Sequence, residues 1–293
     1  MDGIFNINKP RGKTSFRIVA RIRRLSGEKH VGHAGTLDPD ATGVLPVGLG
    51  KGTRVIEYLM DNTKAYRARI EFGTATDTYD SSGKITQRGD ISGINRKAVE
   101  SALGKFRGDI EQIPPMYSAI KHRGQPLYKL AREGISIARK KRKVTIHKLK
   151  LVYWRKPVAT VDIECSKGTY VRSLAHDLGE YLGCGAHLRN LVRNRSGIFS
   201  INDAISMQQL ERAFRQGSWR QYILPVDSVL RDFPSVTVDD DSEKDIKNGK
   251  RIMLESVEKQ SKYCRAYSGD GRFLAILRRT PEKSVWQPKK VFI

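Results

Sequence analysis

The sequence predicts an α+β fold, with a largely antiparallel mixed central sheet flanked by helices and a small β-rich C-terminal unit. Three observations carry this. Segments of strand and helix character are mixed without the regular strand–helix–strand alternation of a parallel sheet. Two stretches alternate as half-buried strands do: Tyr66, Ala68, Ile70 and Phe72 against Arg67, Arg69 and Glu71, and Val161, Ile163 and Cys165 against Thr160, Asp162 and Glu164. Apolar residues recur at helical spacing at Val171, Leu174, Ala175, Leu178 and Leu182. With 293 residues, the chain can bury a core without disulfides or a structural metal.

The elements follow in order. Residues 2–8 read as a short strand, and Asn8-Lys9-Pro10-Arg11-Gly12-Lys13 as a turn. Phe16, Val19, Ala20 and Ile22 then recur at helical spacing, with Thr14 or Ser15 as the cap. Lys29 to Gly52 is glycine-rich and is expected to be mostly loop. Asp77 to Gly83 is turn-rich, and Asn95 caps a helix reaching Phe106. A helix is expected from about Gln125 to Arg132, and strands near 143–154 and 158–165. Residues 186–200 read as a strand or strand pair, and Ser206 to Phe214 as a short helix. Composition shifts between Pro225 and Pro234. This divides the chain into a unit over 1–230 and a smaller one over 233–293, the latter with turns at Asn248-Gly249 and Gly269-Asp270-Gly271.

The charge narrows the function. Lys and Arg number 54 against 31 Asp and Glu, a formal charge of +23, which points to a polyanionic partner. Between Pro114 and Lys156 stand thirteen Lys/Arg and a single acid, Glu133, as expected of one face aimed at phosphates. Tyr117, Tyr128, Tyr153 and Trp154 are interleaved with them, and aromatic rings stack on splayed bases of single-stranded or loop RNA. A membrane surface would need a broad apolar helix face, which this cluster lacks. No apolar run approaches the roughly 18 residues of a membrane span, and the N-terminus lacks a secretory layout. Cys165, Cys184 and Cys264 show no paired spacing and read as ordinary buried thiols of a reducing, cytoplasmic compartment.

The chemistry concentrates in His33-Ala34-Gly35-Thr36-Leu37-Asp38-Pro39-Asp40-Ala41-Thr42-Gly43-Val44-Leu45-Pro46. Small residues and prolines here present a His and two Asp closely to a ligand. A phosphate loop fails because Leu49 follows Gly48 where a lysine is required. A metal site from His33, Asp38 and Asp40 lacks a further His or Cys at ligand spacing. A carboxylate acting as nucleophile or base remains, beside the plain alternative that Asp38-Pro39 only makes a turn.

This segment resembles the signature of the TruB family of pseudouridine synthases. Five further stretches resemble it in family order: Asn8-Lys9-Pro10-x-Gly12-x-Thr14-Ser15, Lys64-x-Tyr66-Arg67, Gln112 to Lys121, Ser166 to Arg172, and Leu182 to Leu188. Together they cover about residues 3–195; the C-terminal part resembles a PUA-type RNA-binding domain more weakly. The resemblance implies a pseudouridine synthase fold. It also implies a cofactor-free, metal-free isomerisation of a flipped-out uridine at position 55 in the T-loop of tRNA.

Residue by residue, the resemblance makes Asp38 the nucleophile and Arg172 its partner, holding the carboxylate ionised and oriented. Tyr66 matches the catalytic aromatic that stacks on the target base and takes part in proton transfer. Tyr170 and Leu191 match residues lining the uracil pocket, His33 one placed at the flipped-out nucleotide, and Asp80 an active-site acid. Lys9 and Pro10 match supports of the fold near the site. Residues 114–143 match an element that closes on the RNA, whose Lys121, Arg123, Lys129, Arg132, Lys140, Lys141 and Lys143 are expected to meet it. Nothing in the sequence demands an oligomer or an obligate protein partner, so a monomer is expected. One rival is a related enzyme working within a guide-RNA particle. Another is a non-catalytic RNA-binding protein, against which the presence of both Asp38 and Arg172 weighs.

Overall fold

The computed structural model describes every residue except 61, 256, 258–260 and 283. The main sheet is built on strands β1 (Gly3–Lys9), β2 (Val31–His33), β3 (Thr42–Leu49), β4 (Lys64–Phe72), β5 (Gly108–Gln112), β6 (Arg142–Arg155), β7 (Val158–Cys165) and β8 (Ala186–Ser196). Its spatial order, from a short strand at Ile205–Ser206, is β1-β3-β8-β4-β7-β6-β5. β1 joins Ile205–Ser206, and β3 joins β8, in parallel; the other neighbours along this order are antiparallel. The predicted mixed, largely antiparallel sheet is therefore present.

Helices cover the sheet according to which strand residues are apolar. β4, β6, β7 and β8 turn Ala68, Ile70, Leu149, Val161, Ile163 and Leu188 toward helices α3 (Arg96–Lys105) and α5 (Val171–Tyr181), which supply Val99, Leu103, Leu174 and Leu178. β1 and β3 turn Phe5, Ile7, Leu45 and Val47 toward α1 (Ser15–Ser26) and α6 (Met207–Arg215). Tyr66 and Leu191 pack against both groups, so they lie at the seam between two helical layers. Thr14 caps α1 by accepting from the Arg17 amide at 3.1 Å, and Asn95 caps α3 by accepting from Ala98 at 3.0 Å.

A second sheet runs in the order 235–237, 263–267, 273–279, 285–291, 252–253, with helix α7 (Asp240–Lys247) packed on it through Ile246. It docks on the main unit where Ile276 and Phe292 join Ile4, Val44, Val55 and Leu59. The Lys51 ammonium caps the carbonyl of Phe292, and Arg54 lies over the Phe292 ring, 4.9 Å from its centroid.

Five expectations need correction. Residues 29–52 are not mostly loop: they contain β2 and the central strand β3. β3 is buried along nearly its whole length, so it shows no alternation, and its glycines are sites of close approach rather than breakers. The buried stripe of α1 is Ser15, Ile18, Val19 and Ile22; Phe16 is 71% exposed and Ala20 only half-buried. Asn248-Gly249 is a turn, but the segment it follows is helix α7 rather than a short strand, because Asp239 accepts from Ser242 and starts a helix there. The basic run 114–156 is not one face: Lys148 and Lys150 alternate with buried Leu149 and Leu151 on β6, beside Asp162 on the neighbouring strand. Trp154 is not free to stack on bases, since its ring packs edge-on against Phe72 at 5.9 Å.

Gly43 illustrates the constraint on β3. Its φ is +102°, and a Cβ there would stand 2.3 Å from the Arg193 carbonyl oxygen. Gly43→Ala should therefore lower stability by at least about 2 kcal/mol, read as a lower urea midpoint at unchanged slope.

Candidate active site

The loop between β2 and β3 meets the N-terminus of α5. Arg172 occupies the first turn of that helix, with its side chain 6% exposed. Its Nε approaches Asp38 Oδ2 at 2.9 Å, and its Nη2 donates to Asp38 Oδ1 at 3.1 Å. This is a two-point pair, the geometry that fixes both the position and the rotation of a carboxylate. The remaining donors are also used: Nη1 reaches the Thr78 carbonyl at 3.3 Å and Asp80 Oδ2 at 3.7 Å, and Nη2 reaches the Tyr117 carbonyl at 2.9 Å. A cation at a helix N-terminus opposes the helix dipole. Here two carboxylates and two carbonyls compensate it, and the reading of Arg172 as a solvated surface residue is excluded.

Asp38 is crowded by protein but keeps 40% of its side chain open to solvent. Burial pushes its carboxyl above the usual carboxylate range, Asp80 pushes the same way, and Arg172 and Lys9 pull it down. The pair orients the carboxylate, and the Arg172 charge opposes the upward push of burial. Asp80 is held in place by its own loop. Its Oδ1 accepts from Thr78 Oγ1 at 2.8 Å, from the Ser82 amide at 3.0 Å and from Ser82 Oγ at 2.5 Å.

Tyr66 sits on β4 opposite Ile163 of β7 and Arg193 of β8. Burial pushes its phenol up, against the pull of the Arg193 guanidinium beside its hydroxyl. Leu191 shares the seam with Tyr66. Tyr170 immediately precedes α5, and its backbone is clamped by Gln112, whose Oε1 accepts from the Tyr170 amide at 3.0 Å. Both Asp38 and Arg172 act on its phenol, which burial pushes up. His33 ends β2; burial and Arg193 lower its pKa. The sheet and two loops therefore gather Asp38, Tyr66, Asp80, Tyr170 and Arg172 within electrostatic reach of one another, with Leu191 in the packing seam beside Tyr66 and His33 at the head of the Asp38 loop.

Lys121, Arg123, Lys129, Arg132, Lys140, Lys141 and Lys143 are exposed and lie outside this cluster, whereas Arg139 of the same segment is half-buried and donates to the Pro114 carbonyl at 3.2 Å. Their segment forms a small hairpin at Lys121–His122 and Gln125–Pro126, then helix α4 (Leu127–Arg132). Its root is tied to the site through Tyr117, whose carbonyl Arg172 holds. Arg132 covers the Tyr128 ring, 5.5 Å from its centroid, and Lys141 faces Glu111 at 3.6 Å.

Two buried cations complete the site. Lys9 is fully buried, and its ammonium donates to the carbonyls of Pro10 at 3.0 Å, Lys13 at 2.7 Å and Pro39 at 3.0 Å. It laces the turn after β1 to the Asp38-Pro39 turn. Burial brings its pKa down to about 8, against the attraction of Asp38 and Asp40, so it stays charged at neutral pH. Arg193 was not anticipated from the sequence. It is 2% exposed, and donates to the Val44 carbonyl at 2.7 Å and the Gly35 carbonyl at 3.0 Å, spanning the signature loop from behind. The available signal was its parity with Leu191, which places it on the inward face of β8. Among the described residues no group of three or more His, Cys, Asp or Glu is arranged to hold a metal ion. Cys165, Cys184 and Cys264 are free and buried, as expected.

Comparison with known proteins agrees with this geometry. Residues 23–171 match the model of the TruB family pseudouridylate synthase (N terminal domain), and residues 172–231 match that of the tRNA pseudouridylate synthase B C-terminal domain. The chain is 47% identical to the tRNA pseudouridine synthase B of Dehalococcoides mccartyi, over 100% of this chain and 97% of that protein. It is 42% identical to the protein of the same name from Clostridium kluyveri, over 94% and 95%, and 36% identical to that of Bacillus cytotoxicus, over 100% and 98%. The solved structure described as "Crystal Structure of a Cbf5-Nop10-Gar1 Complex" superposes with a TM-score of 0.77 at 24% identity, covering 99% of this chain and 85% of that one, which shows a shared fold. With both family models matched in sequence order and full-length relatives above a third identical, the chain belongs to the TruB family of pseudouridylate synthases.

Proposed function

We propose that the protein converts the uridine at position 55, in the T-loop of tRNA, to pseudouridine, with Asp38 as nucleophile and no cofactor. The observation that carries the mechanism is the two-point bond between Arg172 and Asp38; in this reading Tyr66, Tyr170 and Leu191 form the uracil cleft beside that carboxylate. The names borne by the full-length relatives support tRNA as the substrate.

The reaction balances without a co-reactant. The C1′–N1 glycosidic bond breaks, a C1′–C5 bond forms, one proton leaves C5 and one arrives at N1. A carboxylate can hold the electrophilic carbon between the two events. A base inside a stack is out of reach, so the uridine must leave it and enter the cleft. There Tyr66 stacks on it, Leu191 and Tyr170 bound it, and His33 stands at the vacated position. Asp80 steadies the far side of Arg172. The exposed cations of 121–143 contact the phosphates of the T-arm, which is recognised largely by shape and backbone. Residues 1–230 form the catalytic unit, and 233–293 a PUA-like RNA-binding unit. The enzyme acts as a monomer in the cytoplasm, where its substrate is, without an obligate protein partner. No helix among the described residues is long and apolar enough to cross a membrane.

Three outcomes test this reading. Asp38→Asn should lower pseudouridine formation on unmodified tRNA by roughly 10⁴-fold or more, while binding in a filter assay persists; substantial turnover would remove Asp38 from the chemistry. Arg172→Met takes away the charge that opposes desolvation of Asp38, so its carboxyl should rise further. The acid limb of the kcat/KM profile should move to higher pH, and a profile of unchanged shape would count against the pairing. Replacing Lys140, Lys141 and Lys143 together by Gln should weaken tRNA binding and reduce its log–log salt slope by up to about three. An unaltered slope would place these lysines away from the RNA.

A further inference from the structure

The cleft between α1 and β2 is not used by the chemistry above. It has a volume of about 280 Å³ and is lined by Phe16, Val19, Ala20, Arg23, Val31, Gly32 and His33. We propose that it is a second base-binding subsite, which takes a nucleobase of the substrate RNA next to the uridine held at Asp38. This rests on the pseudouridine synthase reading and adds a contact that would discriminate among RNAs.

Phe16 is the first argument. The other large apolar residues of the first two turns of α1, Ile18, Val19 and Ile22, are buried, but Phe16 is 71% exposed. No aromatic partner stands against its ring among the described residues. Phe16, Ala20 and Arg23 are spaced i, i+4, i+7, so a flat ring, a small floor and a guanidinium share one helix face. Arg23 is exposed and makes no ion pair among the described residues. An aromatic face beside an unpaired guanidinium suits one base with its phosphate.

Continuity with the catalytic loop is the second. Ser15, immediately before Phe16, clasps that loop: its Oγ accepts from the Leu37 amide at 3.0 Å and donates to the Leu37 carbonyl at 3.2 Å. The cleft is thus fixed to the residue adjoining Asp38. His33 forms its inner wall, and its Nδ1 is buried without a protein partner. Burial and the nearby Arg193 lower its pKa, so at neutral pH the ring is uncharged and offers a plane and an edge rather than a counter-charge. The volume lies at the lower end for ligand sites, roughly 300 Å³, which fits a single base.

The test uses the full-length protein and a T-arm stem-loop RNA, with 2-aminopurine replacing each nucleotide flanking the target in turn. Wild-type protein should quench the fluorophore at one flanking position. Phe16→Ala should abolish that quench and raise KM about 5- to 100-fold, the range expected for one lost base stack, with kcat within about twofold. Phe16→Trp should restore both. Arg23→Gln should raise KM and reduce the salt slope by about one. Because Phe16 is exposed, the melting temperature of Phe16→Ala should match the wild type. Quenching and KM unchanged in Phe16→Ala, with wild-type turnover intact, would overturn the subsite alone. A wild type that makes no pseudouridine in the unsubstituted stem-loop would instead overturn the reading on which the subsite rests.

Discussion

The pair between Arg172 and Asp38 is the interaction around which the rest of the site is arranged. It joins the loop after β2 to the first turn of α5, segments 134 residues apart in the chain. A guanidinium placed there is costly by itself: it is 5% exposed and opposes the helix dipole. The cost is met because each donor has a fixed acceptor, and those acceptors come from three segments, at Asp38, at Thr78 and Asp80, and at Tyr117. One side chain thus sets the relative positions of the signature loop, the Asp80 turn and the root of the basic hairpin. Closure of that hairpin on a ligand would be felt directly at the carboxylate.

Two further cations hold the signature loop by its backbone rather than by its acids. Lys9 gathers three carbonyls in front, and Arg193 takes those of Gly35 and Val44 behind. Carbonyl acceptors satisfy a buried cation without neutralising it, so both leave positive potential near Asp38 and Tyr66. The site therefore combines desolvation, which pushes the Asp38 carboxyl up, with two cations, Arg172 and Lys9, that favour its ionised form. A carboxylate under such opposed influences is held in one orientation while one side of it stays open to solvent.

The excess positive charge divides by role. Some cations are internal struts, as Lys9, Arg172 and Arg193 are. Others are neutralised across strands, as in Arg67–Asp162 at 2.8 Å and Arg189–Glu71 at 3.1 Å on the outer face of the sheet. Exposed cations remain on the 121–143 segment and, as Arg17, Arg23 and Arg24, on α1. The net charge alone could not distinguish these uses, since the formal count gives the same weight to a buried strut and a surface arm.

The sequence by itself determined the class of fold, the strands and helices with clear periodicity, and, through six ordered motifs, the family and the identities of Asp38, Tyr66 and Arg172. Local pattern suffices there, because alternation, caps and signature residues are written in neighbouring positions. Only the tertiary structure decided that 42–49 is a central strand, for a strand buried on both faces has no alternation to read. It alone decided that Arg193 faces inward, that Phe16 faces outward, and that basic residues close in the chain divide between a hairpin, a short helix and a strand of the main sheet. Each of these depends on which segment covers a side chain, and that is set by contacts between residues far apart in the chain.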